Sequence, residues 1–211
     1  MKLYTYHQSS GAYRVRIALA LKGLDVEMAF VDLTKGEQLT PAYAAINPQR
    51  LVPGFIDDEG NVLTQSLAII EFLEEKFPQT PLMPLSPVER ARVRAIAHAM
   101  ASDIAPLNNL KIRKYIKATF RMNEKEWIQH WTHDGLRSLE KMLATSSDTG
   151  TFCHGASPTM VDCVLVPQLF HARRFGCDLS DYPTLTRIDA ACNALPAFIA
   201  AHPSNQKDAL S

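Results

Sequence analysis

Four prolines fall within the twelve residues PQTPLMPLSPVE (78–89). Each fixes φ and lacks an N–H, so no helix or strand runs through the stretch, and it predicts a boundary between two differently built regions. Ahead of it the apolar pattern is short and mixed. KLYTY (2–6) and VEMAFV (26–31) read as strands, separated by a helix over 12–23 that stops at Gly23. TKGEQLTPAYAAINP (34–48) holds at most a short helix, LVPGFIDDEGNVLT (51–64) reads as a hairpin around DDEGN, and QSLAIIEFLEEKF (65–77) as a helix ended by Pro78. Behind the boundary every periodic segment is helical: 87–120 with a bend near Pro106, then 123–145, 157–176, 183–195 and 196–202. The expectation is an α/β domain at 1–80 and an all-α domain at 87–211.

Charge and cysteine content narrow the function. Lys+Arg and Asp+Glu both number 22. A balanced chain lacks the basic surface that nucleic acid or an anionic membrane needs, so neither is expected as partner. No apolar run reaches the ~18 residues of a membrane span. The opening MKLYTYHQSS has no signal-peptide pattern, which predicts a cytoplasmic protein. Cys153, Cys163, Cys177 and Cys192 all lie in the last third without a CxxC, and read as free thiols in a helical core. His130 and His133 have metal-ligand spacing but no apparent third ligand, so no metal is expected.

Three short stretches carry chemistry. In SSGAYRVRIAL (9–19), Ser9 and Ser10 stand at the mouth of a helix without a cysteine beside them. Serine there caps the helix, yet the same helix end stabilises an anion, and a thiolate brought in by a ligand is such an anion. Gln65 and Ser66 open the next helix, where capping and the binding of a ligand carboxylate are compatible uses. In LVPGF, Pro53 precedes an apolar strand, by itself no more than a turn feature. Arg14 and Arg16, pointing two ways from their helix, read as dimer or domain contacts. Val93, Ile96 and Ala97, with arginines around them, suggest a face for a symmetric homodimer.

SSGAYRVRIAL, NPQRLVP and QSLAIIEFLEE, in that order and spacing, resemble the cytosolic glutathione transferases, and most closely the zeta-like maleylacetoacetate and maleylpyruvate isomerases. The likeness continues through SDIAPLNN (102–109), PTMVDCVLVPQLFHARRF (158–175) and YPTL (182–185). It implies a thioredoxin-like first domain with cis Pro53, an all-helical second domain and glutathione as cofactor. By position, Ser9 matches the serine that supports the glutathione thiolate, with Ser10 beside it. Val52 matches the residue whose backbone pairs with the cysteinyl part, Gln65 and Ser66 the pair holding the γ-glutamyl end, and Gln38 a contact to the glycyl end. Asn108 matches an amide reaching into the site, and Arg174 an arginine that receives a substrate carboxylate. Thr159 and Asp162 resemble the family's capping box, a folding device.

The reaction so implied is the cis–trans isomerisation of a maleyl-type diketo acid in aromatic catabolism. The alternatives are a transferase that conjugates or dehalogenates small electrophiles, and a non-catalytic glutathione-binding module. Three departures from the family pattern bear on the choice: Gln8 where an arginine is common, Gly11 where cysteine is usual, and Ala105 where a histidine is common. Lys111 or Arg113 could supply the missing charge if turned inward, although a helix more often leaves such side chains solvated.

Overall fold

The computed structural model describes residues 1–209. Two compact units divide the chain: Met1–Leu82 together with the chain from Ala194 onward, and Met83–Asn193.

In the first unit the order is β1 (Lys2–Thr5), α1 (Ser10–Leu21), β2 (Glu27–Phe30), α2 (Pro41–Ile46), β3 (Gly54–Ile56), β4 (Val62–Thr64) and α3 (Ser66–Lys76). The sheet runs β2-β1-β3-β4. β1 pairs parallel with β2, Leu3 opposite Met28. β3 is antiparallel to β1, Leu3 opposite Phe55, and to β4, Phe55 opposite Leu63. This is the expected thioredoxin-like layout. The hairpin turn is tied by Asp57, whose carboxylate accepts from the amides of Glu59 (2.9 Å) and Asn61 (2.8 Å). Gly23 takes φ +65°, and Leu24 N–H reaches back to Leu19 O at 2.9 Å, a left-handed stop for α1.

α1 is buried from Ala12 through Leu19, arginines included, because it has a packed neighbour on more than one side. α3 is one neighbour; the other is α9 (Pro196–Ala201), with Phe198 fully buried and Ala201 nearly so. The final helix, grouped by sequence pattern with 87–211, therefore packs with the first unit. Helical periodicity marks an apolar face without saying which partner covers it.

The second unit holds α4 (Pro87–His98), α5 (Leu110–Phe120), α6 (Glu124–Ala144), α7 (Met160–Arg174) and α8 (Pro183–Asn193). The long helix expected over 87–120 is interrupted: α4 passes into a π-helical turn at Ala99–Ile104 and a 3-10 turn at Ala105–Asn108 before α5 begins. Pro106 lies in that turn, and Asn109 restarts the helix by accepting the Lys111 amide at 3.1 Å. Ile104 packs so closely on Gly135 of α6 that a methyl there would overlap its side chain. Val93, Ile96 and Ala97 are buried within the single chain, α4 lying on α7, so the face assigned to a dimer is already used. All four cysteines are free and buried. The Asp162 carboxylate accepts the Thr159 amide at 2.7 Å and the Cys153 amide at 2.9 Å, so the capping box also holds the preceding loop. No helix among the described residues is long and apolar enough to cross a membrane.

Candidate active site

In the first unit, two helix entrances and one loop bring the candidate residues into linked positions. Ser9 is the N-cap of α1: its Oγ accepts the Ala12 amide at 3.3 Å and lies 3.5 Å from the Val52 carbonyl oxygen. The Val52–Pro53 bond is cis, as the resemblance implied. Among the described residues, no hydrogen-bond acceptor pairs with the Val52 N–H. The loop ahead of it is anchored at Leu51, whose carbonyl accepts from Tyr43 Oη and Asn47 Nδ2, both at 2.7 Å. Gly11 permits this approach, since a Cβ there would stand 3.1 Å from Pro53 Cδ and 3.2 Å from Val52 O.

At the entrance of α3, Gln65 is the N-cap, and its side chain caps nothing. It turns instead to Gln49, Nε2 donating to Oε1 at 2.7 Å. Gln65 also has φ +69°, a region costly for a residue with a Cβ and kept where the surroundings or a function demand it. Ser66 is the first helical residue, and its Oγ accepts from Arg14 Nη1 at 3.3 Å.

Arg14 is the residue that sequence reasoning misplaced. It is 4% exposed, its Nε and Nη2 have no partner among the described residues, and burial lowers its pKa to about 10. A buried guanidinium with spare donors beside an uncapped helix N-terminus suits a carboxylate on both counts of charge and hydrogen bonding. The signal was available: the run from Ala12 to Leu19 offers no polar face to leave an arginine in solvent. Gln38 shares the pattern of an unmet group, 8% exposed with Oε1 buried and unpartnered. Ser10 follows Ser9 as the first residue of α1.

In the second unit, Asn108 is buried, its Nδ2 donating to Thr132 Oγ1 at 3.1 Å while Oδ1 has no partner among the described residues. Arg174 is exposed at the end of α7 with its guanidinium carbon 5.4 Å from the Phe175 ring centre. Arg113 lies over the same ring at 4.6 Å and pairs with Glu124 at 3.3 Å. It is thus not the solvated helix-face cation its position suggested; Lys111 is exposed. His133 is engaged with Tyr182 Oη at 2.8 Å.

Residues 1–75 match the family described as Glutathione S-transferase, N-terminal domain. Over 212 residues the chain is 45% identical to a maleylacetoacetate isomerase of Pseudomonas aeruginosa, covering 99% of this chain and 98% of the relative. A holo structure of a maleyl pyruvate isomerase, described as a bacterial zeta-class glutathione S-transferase, superposes with a TM-score of 0.96 at 44% identity, covering 99% of each chain. The chain belongs to the zeta class of the glutathione S-transferase family. A maleylacetoacetate isomerase from Methylobacterium extorquens AM1, solved with malonate and glutathione, superposes with a TM-score of 0.94 at 39% identity over 98% of each chain.

Glutathione is the cofactor of this zeta-class transferase, and the residues fit it. The α3 entrance and the spare donors of Arg14 have the charge and the hydrogen bonding that a ligand carboxylate requires. The unpaired oxygen of Gln38 is an acceptor that a peptide amide can satisfy, and the open Val52 amide is a donor of the kind an extended peptide uses.

Proposed function

We propose that the chain is a glutathione-dependent isomerase that converts a maleyl-type diketo acid, maleylacetoacetate or maleylpyruvate, to its fumaryl isomer in aromatic catabolism. The observation that carries this reading is similarity along the whole chain to enzymes so named, at 44–45% identity. The relative solved with malonate and glutathione bound supports a substrate bearing carboxylates. Bound glutathione supplies a thiolate whose reversible addition to the conjugated double bond frees that bond to rotate.

Each residue has a part in this reading. Ser9 donates its hydroxyl to the sulfur, with Ser10 and the α1 entrance adding positive potential. Val52, set by Pro53, pairs through its backbone with the cysteinyl part. Gln65, Ser66 and the α3 entrance take the γ-glutamyl carboxylate, Gln38 the glycyl end, and Asn108 accepts from a ligand N–H. Arg174 receives a substrate carboxylate, its guanidinium held against Phe175. The reading includes a cytoplasmic homodimer. Leu85, just ahead of α4, and Val88 in its first turn are exposed apolar residues available to the interface in place of the buried Val93 face.

A conjugating transferase is the second reading, favoured by Gln8, which leaves the loop before Ser9 without the cation a dicarboxylate would use. An assay with maleylacetoacetate and maleylpyruvate, with and without glutathione, separates the two. Isomerisation that requires glutathione and leaves total thiol constant is expected. Thiol loss matching product formation, with no fumaryl product, overturns the isomerase assignment.

A further inference from the structure

The Ser9 loop is held from the far end of the chain. β1 ends at Thr5, and residues 6–9 lead into α1. Ser9 N–H donates to Tyr6 O at 3.0 Å, closing the turn. The remaining ties come from elsewhere. Arg16, 2% exposed, donates from Nη1 to Thr5 Oγ1 (2.9 Å) and Tyr6 O (3.3 Å), and from Nη2 to His7 O (3.0 Å). Its Nε donates to Ala201 O at 3.1 Å, joining the loop to the end of α9. The His7 N–H donates to Asp208 Oδ2 at 2.8 Å, and His7 Nδ1 lies 3.3 Å from the same oxygen.

Asp208 is itself in a built position. After α9 the chain folds back, with Gln206 Nε2 donating to Ala200 O (2.9 Å) and His202 O (3.0 Å), and Asn205 Nδ2 to Ile199 O (2.7 Å). The Asp208 side chain is only 13% exposed and that of His7 16%. A segment about two hundred residues from Ser9 in sequence thus supplies the acceptor for the His7 amide, while Arg16 holds the loop's carbonyl oxygens. A buried amide left without an acceptor does not stay where it is.

We propose that residues 203–209 are a positioning strap for Ser9, with Asp208 acting through the His7 backbone to hold the hydroxyl at the place where the glutathione sulfur binds. This rests on reading Ser9 as the thiolate-supporting group. Asp208 touches neither cofactor nor substrate in this proposal; it sets the loop that does. A displacement of about 1 Å at such a donor costs up to ~10²-fold in rate, so a loop tie is a lever on the thiolate.

The test is the pKa of the enzyme-bound glutathione thiol, read from thiolate absorbance across pH, in full-length wild type, Asp208→Ala, Asp208→Asn, Ser9→Ala and the Ser9→Ala/Asp208→Ala double variant. Thermal unfolding is recorded for each. Asp208→Ala is expected to cut the thiolate fraction near neutral pH about tenfold. Asp208→Asn, which keeps an acceptor for the His7 N–H, is expected to restore it. The double variant is expected to show no shift beyond Ser9→Ala alone, since both changes act through one hydroxyl. If Asp208→Ala does not fold, Asp208→Glu tests the same tie by misplacing the acceptor, with a shift in the same direction. An unshifted thiol pKa in Ser9→Ala overturns the reading of Ser9. A shift in Ser9→Ala with none in the Asp208 variants, whatever their melting temperatures, overturns the strap alone.

Discussion

At the entrance of α1, Ser9 caps the helix, and Arg16 behind it spends its donors on Thr5, Tyr6, His7 and Ala201. At the entrance of α3, Gln65 caps nothing, and Arg14 gives one bond to Ser66 while Nε and Nη2 remain buried without partners. The two arginines are two residues apart on one helix and equally hidden from solvent. One closes a protein network; the other keeps two donors unmet among the described residues. A buried cation is costly unless paired, so of the two entrances the incomplete one is where a guest anion would gain most.

The largest effect should come from the complete entrance. Ser9→Ala is expected to lower kcat/KM for isomerisation by ~10²–10³, the usual cost of removing a donor that stabilises charge. Ser10→Ala should cost distinctly less. Equal, wild-type activity in both variants would mean that helix-end potential alone holds the thiolate.

Arg174→Ala, outside both entrances, is expected to lower kcat/KM on a maleyl substrate about 10²-fold, more than any other arginine change, by leaving a carboxylate unpaired. Gln8→Arg should raise kcat/KM severalfold on the same substrate by adding a bidentate partner at the loop before Ser9. Measuring both on one dicarboxylate settles whether charge at these two places matters. No isomerisation in wild type and none restored by Gln8→Arg would hand the case to the conjugating transferase.

The sharpest break of the comparison is to replace each arginine by methionine. Arg14→Met should weaken glutathione binding about 10–100-fold, the worth of a hydrogen bond to a charged group, while leaving the melting temperature level or raised. Arg16→Met should instead lower the melting temperature, because it strips donors from four protein acceptors. Calorimetric titration with glutathione beside thermal unfolding reads both. If Arg14→Met loses stability and keeps its affinity, the two entrances are not different in kind.

The smallest expected effect lies in the second unit. Gly135→Ala should destabilise by about 1–3 kcal/mol through overlap with Ile104, seen in denaturant unfolding. An unchanged midpoint would show that the π-helical turn at Ala99–Ile104 yields easily.

Much of this was written in local pattern. The proline-rich boundary, the β-α-β and β-β-α order and the helical remainder follow from periodicity and turn residues, and the structure keeps nearly every element within a few residues of its expected bounds. Ser9 and Ser66 were legible as helix-entrance residues, where residue type and position constrain each other, whereas the parts proposed for Val52 and Gln65 came from the family resemblance. Arg14 and Arg16 were not, since an arginine's surroundings depend on what packs over its helix. Nor was the use of Val93, Ile96 and Ala97, an apolar face that fits a neighbouring helix as well as a second subunit.

The sequence alone determined where chain direction changes and which helix ends carry hydroxyl and amide side chains, because backbone sterics and capping act over a few residues. Tertiary structure decided which arginine is satisfied and which is not, that α9 returns to α1, and that Asp208 meets His7. These pairings join residues up to 201 positions apart. Their partners are chosen by burial and by the need to satisfy every buried N–H, constraints that no local window of sequence contains.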